Sequence, residues 1–395
     1  MPQVSSRLDG FTESVIRKMT RVANEYGAIN LSQGFPDFDP PKELVGALKK
    51  AADEGPHQYE ITWGAQGFRE ALAKKQSKFM GLEIDPNREI VVTCGSTEAM
   101  MAAMMSVCEP GEKVIVFSPF YENYVADTIL CGAEPIYVPL YPPEFNFNRE
   151  ELIRAFEQKP KALILCNPSN PTGKVFAREE LEFIANLAIE YDAFVITDEV
   201  YEHIVMKPYE HVYFAALPGM FERTISCSSL SKTYSITGWR LGYIIAPEHI
   251  INNAKKVHDF LTVGAAAPLQ AAAILGFNLP EEYYESLREL YTEKRDLFIK
   301  GLDEAGLKYT VPQGAYYIMV DISEFIQGTS LTDNEFCEWL AKEVGVAAVP
   351  GSSFFKEEVN HLIRFHFAKK TETLLAALER LKSLREKASK GIIIA

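Results

Sequence analysis

Between about residue 90 and residue 247 the chain repeats one pattern: a short apolar run rich in Val and Ile, a break of small or polar residues, then a stretch with helical spacing. The runs are Glu89–Thr93 (EIVVT), Lys113–Ser118 (KVIVFS), Lys161–Cys166 (KALILC), Ala193–Glu199 (AFVITDE), Thr224–Ser229 (TISCSS) and Arg240–Ala246 (RLGYIIA). Their apolarity is nearly continuous rather than alternating, which predicts strands covered on both faces, as in a mainly parallel sheet. Parallel strands need crossover helices. The stretch Arg178–Asp192 (REELEFIANLAIEYD) supplies one, with Leu181, Ile184, Ala185 and Ala188 on a single face. The central region is therefore read as α/β.

The pattern changes at both ends. Residues 1–45 form an N-terminal segment whose INLSQGFPDF stretch reads as a loop because of its Gly and Pro. Residues 46–284, which contain the repeated pattern, are expected to form the large domain, and 285–395 carry a different pattern. The latter has a long charged helix, two strand-like pieces (GAYYIMVDI and LIRFHFA) and a last helix, which together predict a smaller α+β unit.

In an open sheet of this kind, ligands collect at the carboxyl ends of the strands. The unusual residues fall there. Thr93–Thr97 (TCGST) follows one run, Asn167–Gly173 (NPSNPTG) another, Asp198–Tyr201 (DEVY) a third and Ser229–Lys232 (SLSK) a fourth.

Composition narrows the reading. A 395-residue chain that is 47% hydrophobic and 24% charged has ample apolar mass for a large core. A net charge of −14 without a basic stripe argues against nucleic acid as a partner. No apolar run reaches the length of a membrane span and the first residues carry charges where a signal peptide would be apolar, so a cytoplasmic protein without membrane attachment is expected. The six cysteines lack paired spacing and read as reduced, buried hydrophobes. The seven histidines form no Cys/His cluster, so no metal site is expected.

The polar clusters suggest a common chemistry. Alone, Lys232 reads equally as a solvated or ion-paired lysine. A lysine amine can form a Schiff base with a carbonyl once deprotonated, and burial with a neighbouring cation such as Arg240 favours that state. Ser229, Ser231, Arg240 and the Gly95-Ser96-Thr97 turn, which opens a helical stretch, offer hydroxyls, a guanidinium and helix N-terminal amides suited to a phosphate monoester. That turn alone would be a helix cap. Asp198 emerges from a buried run and needs a cationic partner, which could be a protonated pyridine nitrogen or an ion pair elsewhere.

Eight blocks in order, QGFPDF, QYEITWGAQGFREALA, GSTEA, PFYENY, NPSNPTG, TDEVYE, SLSKTYSITGWRLGY and LIRFHFA, closely resemble the class I and II pyridoxal-phosphate aminotransferases of fold type I, over essentially the whole chain. The resemblance is to the aspartate-aminotransferase-like group, and within it to the kynurenine, glutamine and methionine branch. It implies a large domain with a mainly parallel seven-stranded sheet covered by helices, a smaller α+β domain, and an N-terminal segment that joins the smaller one. The implied reaction is a ping-pong transfer of an amino group from an L-amino acid to a 2-oxo acid. Lys232 takes the place of the lysine that holds pyridoxal 5′-phosphate as an internal aldimine and later moves the substrate Cα proton. Asp198 matches the partner of the pyridinium nitrogen, and Tyr201 and Asn170 the residues bonded to the ring hydroxyl. Gly95, Ser96, Thr97, Ser229 and Arg240 match the phosphate cradle, and Tyr121 the ring stacked on the cofactor. Arg364, with Asn170 and the backbone at Gly34, matches the grip on the substrate α-carboxylate. Tyr59 matches a tyrosine that reaches the phosphate of the neighbouring subunit, which implies a homodimer.

The substrate side chain is less defined. The classical aspartate enzymes contribute a second arginine from a segment that here reads Val263–Ala267 (VGAAA), and a bacterial subgroup has a lysine where this chain has Thr97. The same segment lacks the bulky pair of the kynurenine branch, and Ile16 replaces an aromatic residue common there. An aromatic, sulfur-containing or otherwise apolar donor is expected. A carbon–sulfur β-lyase of the cystathionine type uses the same lysine and is the rival enzyme. A non-catalytic cofactor-binding sensor is the rival of another class, disfavoured because the recognisable domain begins almost at residue 1.

Overall fold

The computed structural model describes residues 13–392, with Ser6 and Phe11. Its centre is an eight-stranded sheet in the order Ile90–Thr93, Gly242–Ile245, Thr224–Ser229, Phe194–Asp198, Ala162–Cys166, Lys113–Ser118, Glu134–Tyr141, Asn146–Phe147. Five of these, from Thr224–Ser229 through Glu134–Tyr141, run parallel in sequence of pairing. Gly242–Ile245 is antiparallel to both of its neighbours. Every residue of the Ile90–Thr93, Thr224–Ser229 and Gly242–Ile245 strands is buried, as expected of strands covered on both faces. The helix Arg178–Glu190 buries Leu181, Ile184, Ala185 and Ala188 on the face expected of it.

Two features of the sheet escaped the hydrophobic pattern. Glu134–Tyr141 contains Pro135 and Pro139, which read as strand breakers. The strand tolerates them because from Glu134 to Pro139 it has one neighbour, Lys113–Ser118, and so keeps one side of its backbone out of the ladder. The eighth strand exists because the chain reverses at Phe145 (φ 55°), whose N–H returns to the Tyr141 carbonyl 2.7 Å away. That reversal adds a two-residue antiparallel ribbon to the seven strands anticipated.

A second, four-stranded antiparallel sheet has the order Lys308–Tyr309, Tyr317–Asp321, Leu362–His366, Val349–Pro350. The helices Glu281–Glu304 and Thr371–Lys382 pack beside it. Gly301 lets them approach, since a Cβ there would come within 2.4 Å of the Leu378 side chain. The N-terminal helix Val15–Tyr26 and the strand Ile29–Asn30 also lie on this unit: Ile29–Asn30 pairs with Val346–Ala347, and Met19 and Leu31 join the same apolar core. Among the described residues no helix is long and apolar enough to cross a membrane.

Phe298 sits at the centre of this second core, fully buried, with ring centroids 6.0 Å from Phe365 and 6.4 Å from Phe367. Phe298→Ala should lower unfolding stability by about 3–5 kcal/mol, measured by urea denaturation. A loss below about 1 kcal/mol, the range of a surface change, would contradict this role for the cluster.

Candidate active site

The polar residues gather at one rim of the large sheet because of strand direction. Asp198 and Ser229 are the last residues of their strands, Gly95 to Thr97 follow Ile90–Thr93, and Asn170 follows Ala162–Cys166. Arg240 precedes a strand instead. Gly242–Ile245 is antiparallel, with Gly242 opposite both Thr93 and Ser229, so its beginning lies at the rim where its neighbours end. The second sheet contributes Arg364 and Tyr317, and the N-terminal segment Gly34. Together they enclose a cavity of about 480 Å³. Gly34, Ser96, Thr97, Tyr121, Asn170, Asp198, Tyr201, Ser229, Lys232, Arg240 and Arg364 all line it. Gly95 lies behind Arg240, and Tyr59 stands on the surface outside this cavity, 88% exposed.

Lys232 is recessed in the cavity. Its Nζ donates to the Gly34 carbonyl at 3.2 Å and lies 5.8 Å and 5.6 Å from the ring centroids of Tyr201 and Tyr316. Burial pushes the amine down to about 8; Asp198 opposes this shift, while Arg240 and Arg364 add to it. The neutral, nucleophilic amine is thus accessible near neutral pH. Burial also raises the Asp198 carboxyl, against a 2.7 Å bond from the Tyr124 hydroxyl, a 3.3 Å bond from the Val200 N–H and the charge of Lys232. Burial holds the Tyr201 phenol well above its ordinary value, so it keeps its proton; its oxygen is 3.0 Å from that of Tyr317.

Arg364 is fully buried, with no described carboxylate in salt-bridge range. Its guanidinium lies between the rings of Tyr317 and Phe354, 4.1 Å and 4.5 Å from their centroids, and donates to Asn170 Oδ1 at 2.6 Å and to the Ser32 carbonyl at 3.0 Å. A guanidinium cannot shed its proton to escape desolvation. The planar fork of the guanidinium is of a shape and charge that suit a carboxylate.

At the other end the backbone is bare. A Cβ on Gly95 would stand 2.4 Å from Arg240 Nη2, and one on Gly242 would stand 2.4 Å from the Gly95 carbonyl carbon and 2.7 Å from the Ser96 nitrogen. These two glycines let Arg240 lie against the first turn of the helix Ser96–Val107. First-turn amides have no acceptor within the helix. With the hydroxyls of Ser96, Thr97, Ser229, Ser231 and Thr237, they form a donor set matched to a phosphate.

Residues 26–381 match the family model for aminotransferase class I and II. The chain belongs to the class I and II aminotransferases. Methionine aminotransferase of Escherichia coli (strain K12) is 38% identical over 380 residues, covering 96% of this chain and 98% of the relative. Aspartate aminotransferase of Pyrococcus abyssi is 39% identical over 389 residues, 97% of this chain and 99% of the relative. The structure of N-succinyldiaminopimelate aminotransferase from Mycobacterium tuberculosis superposes with a TM-score of 0.92 at 36% identity, covering 97% of this chain and all of that one. The fold is that of these enzymes, and the chain is an aminotransferase.

This aminotransferase has site residues that motif reading passed over. Tyr124, the last residue of PFYENY, bonds Asp198, and Tyr317 bonds Tyr201 and covers Arg364. Arg17, from the N-terminal helix, and Glu122 also line the cavity, together with the Ile16 noted from the sequence; the hydroxyl of Ser14 donates to Glu122 at 2.5 Å and ties the two walls together. Asp127, near Asp198 but not among the residues lining the cavity, is the least expected neighbour of the site. One helical turn after Tyr124, its carboxyl is buried, with no partner for Oδ2 among the described residues. Burial first, and repulsion from Asp198 second, push it up to about 7.

Because that carboxyl is raised in the folded state, its stabilising contribution is complete below the ordinary carboxylate range and is lost as pH rises through about 7. Asp127→Asn, which cannot ionise, should therefore match the parent near pH 4 and exceed its stability at pH 8.5, by up to about 4 kcal/mol. Thermal unfolding across this pH range checks it; a parallel pH profile for the two proteins would refute it.

Proposed function

We propose that this aminotransferase binds pyridoxal 5′-phosphate and moves the amino group of an L-amino acid, with an apolar, aromatic or sulfur-containing side chain, to a 2-oxo acid. The observation that carries the reading is the pairing, in one cavity, of a recessed lysine that deprotonates near neutral pH with a buried arginine that has no carboxylate partner among the described residues. When bound, the cofactor supplies an aldehyde to take up the amino group and an electron sink that weakens the substrate Cα–H bond.

The protein's part divides among the residues described. Gly95, Ser96, Thr97, Ser229 and Arg240 would hold the phosphate, Asp198 the ring nitrogen, Tyr201 and Asn170 the ring hydroxyl, and Tyr121 one face of the ring. Lys232 would tether the cofactor and carry the proton at the substrate Cα, since an amine titrating near 8 can both accept and return it. Arg364, steered by Asn170, would orient the α-carboxylate shared by donor and acceptor. Both half-reactions of a ping-pong cycle then use one set of groups. An apolar donor is supported by the wall of Ile16, Phe35, Tyr121 and Tyr317, whereas Val263–Ala267 does not line this cavity.

A homodimer accompanies this reading. Tyr59 and Phe260 are 88% and 90% exposed, and Ile61, Leu261 and Val263 are exposed on the same two segments. Those side chains favour a second copy as cover, with Tyr59 reaching the partner's phosphate.

Borohydride should fix the cofactor to the parent protein but not to Lys232→Ala, whose turnover should fall by at least about 10³-fold. Ordinary transamination by that variant would overturn the assignment. A panel of amino donors against several 2-oxo acids defines the substrates; pyruvate and ammonia released from a cysteine S-conjugate without an acceptor would indicate the β-lyase instead. Arg364→Lys, which keeps charge but loses the planar fork, should raise KM for donor and acceptor alike by about tenfold or more. A change confined to one substrate would exclude the shared-carboxylate role.

A further inference from the structure

A buried histidine outside the cavity bears on the phosphate turn. His258, in the helix Glu248–Thr262, is fully buried. Its Nδ1 is 2.6 Å from Glu98 Oε1, and its Nε2 is 3.0 Å from the carbonyl oxygen of Thr62. Both partners are acceptors, so both bonds form only when each ring nitrogen carries a proton. Glu98 lies in the first turn of the helix Ser96–Val107, the turn that faces the phosphate cradle. Its other carboxylate oxygen accepts the N–H of Cys94, next to Gly95, and the hydroxyl of Thr262 donates to Oε1 at 2.9 Å. Burial would raise the Glu98 carboxyl, but the bonds from His258, Cys94 and Thr262 hold it below its usual value. Three segments distant in sequence thus meet at one imidazole: the cradle turn, the loop that carries Tyr59 three residues before Thr62, and the end of the helix that exposes Phe260.

We propose that His258 is a positioning residue for the phosphate: it anchors the cradle turn to the Thr62 loop and neutralises the carboxylate that Glu98 places in that turn. The proposal rests on the phosphate-cradle reading above. An unneutralised carboxylate in the first turn would oppose an incoming phosphate, although it favours the helix itself. The turn also depends on Glu98 for the orientation of Cys94 and Gly95, so a displaced Glu98 would move the backbone on which Arg240 rests. His258 touches no substrate or cofactor atom; its effect is confined to the part of the ligand that the turn receives.

The test compares binding of pyridoxal 5′-phosphate and of pyridoxal, which lacks the phosphate, to the full chain by fluorescence titration. His258→Leu should weaken pyridoxal phosphate by about tenfold or more, the scale of a lost charged hydrogen bond, and leave pyridoxal unchanged. His258→Gln should weaken it too, and adding Glu98→Gln should restore much of the loss, because the second change removes the uncompensated charge. Unchanged affinity for pyridoxal phosphate in both single variants, an equal loss for both ligands, or no recovery in the double variant would each overturn the proposal. If His258→Leu fails to fold, His258→Gln and its double variant decide the question. A parent protein that does not prefer pyridoxal phosphate to pyridoxal would instead refute the cradle reading, which separates the two failures.

Discussion

Desolvation of the charges in one cavity is the constraint on which the site depends. Lys232 and Arg364 are cations removed from water, and the carboxylate facing the lysine, Asp198, is itself buried at a strand end. The two cations respond differently. Lysine can release its proton, and burial brings that release close to neutral pH. Arginine cannot, so Arg364 is supported by two rings, an amide oxygen and a backbone carbonyl. These partners leave its charge uncancelled, which makes the site receptive to an anion.

The architecture follows from that need. Parallel strands bring Asp198, Ser229 and Asn170 to one rim, and the antiparallel Gly242–Ile245 strand brings Arg240 to the same place. The antiparallel unit and the N-terminal segment close the cavity from the other side, with Arg364, Tyr317 and Gly34. Neither part holds a complete site. The Arg364–Asn170 bond joins residues 194 apart in sequence, and the Tyr124–Asp198 bond joins residues 74 apart. Stability of the composite cavity is therefore tied to the packing between parts rather than to any single motif.

Legibility in the sequence tracked the range of the interaction. The buried strands were readable because continuous apolarity is local, and the crossover helix because its face repeats every three to four residues. Glu134–Tyr141 was not, since its prolines argue against a strand unless one side of the backbone is free of the ladder, which is a fact of sheet position. Asp198 and Lys232 stood out as charges at strand ends. Asp127, Tyr317 and His258 did not, because an Asp in a helix, a Tyr in a strand and a His in a helix are unremarkable until the environment is known.

The chain by itself determined the α/β class, the family and the residue types at the strand ends, because these are carried by periodicity and by short motifs. Tertiary structure decided which of those residues share a cavity, how far burial moves Lys232 and Asp127, and that Arg364 has no carboxylate beside it among the described residues. It also placed His258 between Glu98 and Thr62, at separations of 160 and 196 residues. Such outcomes depend on the dielectric surroundings and on contacts made across the fold, and neither is encoded in the identity of a residue or of its sequence neighbours.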